Sequence, residues 1–148
     1  MSDPKIIAEL NRLAADHEGL LRPEIVVAAA RSEDSPMHGE FDWEDSVAAQ
    51  NWRVHQASVL IRVTVGFSAE LRENVRLFVS LTPDRQVAGG GYRTLASVLS
   101  DAERRRQMVE DALAELRAFE KKYKNLLELA GVFGAIKRAT KDLAHAGD

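Results

Sequence analysis

The basic residues of positions 61–100 are all arginines: Arg62, Arg72, Arg76, Arg85 and Arg93. A guanidinium presents a planar fork of donors that matches phosphate oxygens, base edges and carboxylates, so this segment is a candidate anion-binding surface. Immediately upstream, Gln50, Asn51, Arg53, His55 and Gln56 share one expected helix, and such side chains hydrogen bond to base edges. Together they define a candidate nucleic-acid interface, with Arg53, Arg62, Arg76 and Arg93 as phosphate or base contacts and Gln50 and Asn51 as readers. A plainer reading of the same helix is a solvated polar face, with Trp52, Val59 and Ile61 turned into a core.

Other chemistries have less support. Gly89, Gly90 and Gly91 beside Tyr92 and Arg93 allow close backbone approach to a phosphate or entry into a narrow groove. They match neither a P-loop nor a dinucleotide-binding glycine motif, so nucleotide binding has no support and an ordinary mobile loop is the preferred reading. Glu33, Asp34, Glu40, Asp42, Glu44 and Asp45 surround His38 without an intervening basic residue. Their spacing is not that of a calcium loop, so a solvated loop or an acidic face for a basic protein is expected, and no metal site. His17, His38, His55 and His145 form no metalloprotease spacing, no serine lies in a nucleophile elbow, and the absence of Cys removes thiol chemistry. The expectation is a non-enzyme without cofactors.

Positioning these residues requires several elements. Pro4, the recurrence of Ile6, Ile7, Leu10, Leu13 and Ala14, and Gly19 predict a first helix over 4–18. A second starts at Pro23 and runs to about Arg31. The segment SEDSPMHGEF reads as turns, with Pro36, Phe41 and Trp43 folding it back onto helix three and His38 and Trp43 locking it. Helix three is expected from about Trp43 to Arg62, capped by Asp42, with Glu44 and Asp45 favourable to its dipole. RVTVGF and VRLFVSL then read as a β-hairpin around SAELREN. TPDRQVAGGGY reads as a long loop, and TLASVL as a short helix.

Ser100 and Glu103 form a capping box that opens a long terminal helix. Along it Val109, Ala112, Leu116, Phe119, Tyr123, Leu126, Ala130 and Phe133 alternate in steps of three and four. This narrow seam suits either the chain's own core or a second copy. Val109, Leu116, Phe119, Tyr123 and Leu126 are its candidate interface residues. Gly131 and Gly134 weaken its distal end and offer a point where it breaks into two helices, and the terminal HAGD is expected to fray.

The predicted fold class is therefore α+β and mostly helical. Three helices and a hairpin, in winged-helix-like order, occupy 1–99, and a helical self-association segment occupies 100–143. A winged helix-turn-helix would put its last helix in the major groove, although a ten-residue connection before helix three and an acidic helix start depart from that pattern.

The 148 residues carry a net charge of −3, which disfavours wholesale polyanion binding. That charge is unevenly divided: residues 1–60 carry −6, 61–100 carry +2 and the remainder +1. No apolar run approaches the about 20 residues needed to span a bilayer, and the N-terminus lacks the pattern of a secretory signal. A cytoplasmic protein with no membrane partner is expected.

The stretch SPMHGEFDWEDSVAAQNWRVHQASVLIR, followed by RLFVSL and GGGYRTLASVLSD, resembles a family of small phage and prophage proteins without an established activity. The resemblance rests on Ser35-Pro36-x-His38, Phe41-x-Trp43 and Gly90-Gly91-Tyr92-Arg93 across roughly residues 20–135. It implies an accessory protein of a phage or mobile element acting in a bacterial host cytoplasm. With helix three, the arginine-bearing hairpin and the seam, the leading expectation is a regulatory or accessory protein that binds DNA as a dimer. The alternative is an interaction or assembly module that meets a host or phage protein through its acidic N-terminal face.

Overall fold

Apolar residues at helical spacing build the first layer. Helix α1 (Pro4–Asp16) buries Ile6, Leu10, Leu13 and Ala14, and Asp3 caps it by accepting from the Lys5 amide. The helix stops where Glu18 and Gly19 take positive φ, a conformation that glycine adopts without steric cost. Helix α2 (Pro23–Ala30) begins on a proline and buries Val26, Val27 and Ala30. The computed structural model describes residues 2–43 and 46–145. Among these the chain is mostly helical, with small antiparallel sheets, an α+β architecture.

Helix α3 (Val47–Val63) starts later than the spacing suggests. Ser46 caps it, its hydroxyl accepting from the Ala49 amide at 3.0 Å. Asp42 therefore does not cap the helix, and Glu44 and Asp45 lie outside the described residues. Residues 31–43 instead form turns and a short 3-10 segment at His38–Glu40. Met37 and Phe41 from this connection enter the core with α1, α2, Ala57, Ile61 and Phe78.

The expected hairpin is present but shorter. Strand β1 (Val65–Ser68) pairs with β2 (Glu73–Arg76) in the register Val65↔Arg76 to Ser68↔Glu73. The expected second strand is divided, because Phe78–Val79 (β3) pairs with a later strand, Arg93–Thr94 (β4). Leu77 is the point of division: its amide donates to the Thr64 carbonyl, its carbonyl accepts from the Leu95 amide, and its side chain lies against Gly66, where a Cβ would come within 2.9 Å of Cδ1.

The stretch expected as one loop contains helix α4 (Thr82–Gln86), opened by Pro83 and carrying buried Asp84 in its first turn. Its glycine end is held rather than loose. Leu21 and Tyr92 exchange backbone hydrogen bonds, and a Cβ on Gly91 would lie 2.4 Å from Leu20 Cδ1.

Helix α5 (Leu95–Ser100) follows, capped by Thr94. Asp101, not Ser100, caps helix α6 (Ala102–Tyr123), accepting from the Arg104 amide at 2.8 Å, while Ser100 Oγ donates to the Ser97 carbonyl. The terminal helix is broken: after Tyr123 a turn and a 3-10 segment (Leu127–Leu129) lead into helix α7 (Ala130–His145). The chain divides into two compact units, Met1–Arg104 and Arg105–Asp148. No described helix is long and apolar enough to cross a membrane.

Candidate interaction surfaces

The arginines predicted to meet an anion have different fates. Arg53 is buried at 3% exposure, because α3 turns it toward the connection that precedes the helix. Its Nη1 donates to the Asp42 carbonyl at 3.0 Å, and its Nε and Nη2 approach Gln50 Oε1 at 3.4 and 3.3 Å. The guanidinium also lies 5.4 Å from the centroid of the Trp43 ring. On the same indole, Arg31 sits at 5.5 Å and His38 stacks at 5.1 Å. The Trp43 Nε1–H donates to the His38 carbonyl, and His38 Nδ1 meets the Ala30 carbonyl. The acidic connection is thereby folded onto α3, and two cations, buried Arg53 and exposed Arg31, lie against one aromatic ring.

Arg93 is also committed within the fold. From β4 it makes a two-pronged ion pair with Asp84 of α4, Nε to Oδ2 and Nη2 to Oδ1, both at 2.8 Å. The two side chains are 16% and 8% exposed. Arg93 also borders a cleft of about 430 Å³ with Asp16, Glu18 and Arg22, where acids and bases balance. Asp16 is itself bonded to Arg12, which also pairs with Glu9 at 2.6 Å. That hydrogen bond holds the Glu9 carboxyl below its ordinary pKa against a smaller opposing effect of burial.

Arg62 and Arg76 remain exposed, at the end of α3 and on β2, and Asn51 is exposed on α3. Gln50 is half-buried beside Arg53. The structure thus leaves Arg62, Arg76 and Asn51 on the surface and builds Arg53 and Arg93 into the fold. Among the described residues no three His, Asp or Glu side chains are grouped to hold a metal ion.

The most distinctive surface is one that the plainer reading of α3 turns into the core. Trp52, Gln56, Val59 and Val63 recur at steps of four, three and four, which places them on one side of α3. Arg53, Ala57 and Ile61 occupy another side, the buried one. Trp52 is 55% exposed and Val63 57%. They line a groove of about 300 Å³ with Glu40, His55, Gln56, Val59 and Leu60, and His55 stacks on Trp52 at 5.2 Å. Gln56 Oε1 is buried with no hydrogen-bond partner, an omission that costs on the order of 1–3 kcal/mol. The 52-56-59-63 spacing is the signal that marks this stripe. Ile61, assigned to the same inward side as Trp52 and Val59, instead points to the core alone.

The second unit carries the seam. Helix α6 has 22 residues and none is buried. Val109 and Tyr123 are half-buried, and Leu116, Phe119 and Leu126 are exposed. Phe119 packs on Tyr123 and on Phe133 of α7, with ring centroids 4.9 and 6.2 Å apart. Only Phe133 and Ile136 of α7 are buried. Arg117, Lys137 and Lys141 line a groove of about 340 Å³ along this helical pair, with Glu120 among them.

Comparison with protein-family models, with curated proteins and with solved structures produced no match, so geometry carries the functional reading.

Proposed function

We propose that this chain is a non-catalytic protein-interaction module that acts as a homodimer. The observation that carries the reading is the outer side of α3. Where the element order places a DNA reader, that helix shows Trp52 and Val63 to solvent, with half-buried Val59 between them, and turns Arg53 inward. An apolar stripe with a polar border is the chemistry of a protein contact, whereas a phosphate contact needs outward cations. The phage or prophage setting and the bacterial cytoplasm implied by the resemblance belong to this proposal.

Titration of labelled duplex and single-stranded DNA at low salt tests it. The expected result is no retarded species with either probe. A shift that weakens steeply with salt and is lost in the Arg62→Ala/Arg76→Ala double variant overturns it.

That outcome would establish the second reading, a dimeric DNA-binding accessory protein. It is favoured by the exposure of Arg62, Arg76 and Asn51, with the β1–β2 hairpin directly after α3. In that reading Arg53 and Arg93 act only by holding the fold.

A further inference from the structure

The α3 groove has a definable occupant. Its long axis, from Trp52 to Val63, spans eleven residue steps, about 16 Å at the α-helical rise, which is the length of three helical turns. Its lining is apolar along Trp52, Val59 and Val63, with one carboxylate, Glu40, at its border. The arginines nearest in sequence, Arg31 and Arg53, are both drawn onto Trp43. Arg62 stands exposed near the C-terminal end of α3, but the groove's own lining carries the Glu40 carboxylate and no guanidinium or ammonium.

We propose that the groove on α3 binds a basic amphipathic helix of a partner protein. The helix lays an apolar stripe against Trp52, Val59 and Val63 and directs its lysines or arginines toward Glu40. Two apolar stripes at helical spacing pack as ridges into grooves, and opposite charges at the border fix their orientation. Gln56 adds a polar requirement: its unpartnered Oε1 gains a hydrogen bond when its amide turns toward a donor on the arriving helix. This inference rests on the protein-interaction reading and adds the chemistry of the partner to it.

The test uses the full chain and a synthetic 18-residue peptide with Leu and Lys at helical spacing, followed by fluorescence of Trp52. A Trp43→Phe background isolates that signal, provided its circular dichroism matches the parent. The same peptide with every Lys replaced by Glu is the control. The expected result is a saturable blue shift with the Lys peptide and binding at least about tenfold weaker with the Glu peptide. Val59→Asp and Trp52→Ala, the latter followed by calorimetry, are expected to weaken the Lys peptide at least about tenfold as well. Val59→Asp adds a negative charge and so strengthens any purely electrostatic capture, which makes its loss of binding diagnostic of the groove. Equal binding of the two peptides, or binding insensitive to Val59→Asp, overturns the basic-helix inference. Preference for the Glu peptide with the same Val59 dependence overturns the partner's charge and leaves the protein-docking reading intact.

Discussion

The Arg53 guanidinium lies over the Trp43 indole, 5.4 Å from its centroid, and bonds the Asp42 carbonyl just ahead of that ring. One side chain thus joins α3 to the acidic connection by a charge-assisted hydrogen bond and a cation–π contact, both shielded from water.

Replacing Arg53 by Ala removes both contacts and leaves the Asp42 carbonyl without this donor. The expected loss is about 2–4 kcal/mol in urea unfolding, from a charged hydrogen bond and a desolvated cation–π contact together. Arg53→Lys keeps the charge but loses the fork, so it is expected to recover only part of the loss. A loss below about 0.5 kcal/mol, the level of ordinary surface substitutions, would refute this role.

Asp84 and Arg93 hold α4 against β4 across the glycine segment. Both are largely buried, so removing either partner strands a charge. Asp84→Ala and Arg93→Ala are each expected to destabilise by about 3 kcal/mol. The double variant is expected to cost less than the sum, since neither charge is then left alone. Strict additivity in the double-mutant cycle would show that the pair is not coupled.

Much of this fold was legible because local signals and tertiary packing agree. Pro4, Pro23 and the apolar periods of α1 and α2 describe those helices closely, and the proposed locking of the acidic segment by His38 and Trp43 has its counterpart in the observed stacking. The failures have local causes. Asp42 and Ser46 are both good caps, and the Arg53 bond to the Asp42 carbonyl keeps that residue outside the helix. VRLFVSL reads as one strand by composition, but β2 and β3 pair with different partners, which no single-strand pattern encodes. The break of the seam into two helices agrees with its weak distal end, but it falls between Tyr123 and Ala130 rather than at Gly131 and Gly134, which lie inside α7.

The candidate site was less legible. A helix such as α3, apolar on two sides, gives no clear amphipathic signal, so spacing alone does not tell the side of Trp52 and Val59 from the side of Ala57 and Ile61. Arginine types suggested an anion surface, but intramolecular partners such as Asp84, nine residues away in sequence, decide whether a guanidinium is available. Sequence spacing does not report that choice.

The Glu9–Arg12 pair predicts a pH dependence. Hydrogen bonding to Arg12 lowers the Glu9 pKa in the folded chain from its ordinary 4.5. A lowered folded-state value means that the pair stabilises α1 above about pH 4.5, and that this contribution is lost as pH falls through the folded value. Both side chains reach solvent, so the effect is small. Thermal melts of the parent and Glu9→Gln are expected to differ at pH 7 and converge toward pH 3. A Tm difference that stays constant across this range would contradict the assignment.

The seam predicts the state of association. A helical pair with only Phe133 and Ile136 buried has little core of its own, since units of such size need further support from a partner surface. Leu116 is exposed on α6, so Leu116→Glu costs an isolated chain little while placing a charge in any seam between copies. Light scattering is expected to give twice 16.4 kDa for the parent and 16.4 kDa for Leu116→Glu, with unchanged helical circular dichroism. Ala114→Glu adds the same charge about 200° around the helix from Leu116 and is expected to remain dimeric. A monomeric parent, or a Leu116→Glu variant with the parent's mass, would show that the seam is not an interface between copies. Dissociation by both variants would trace the effect to net charge rather than to the seam.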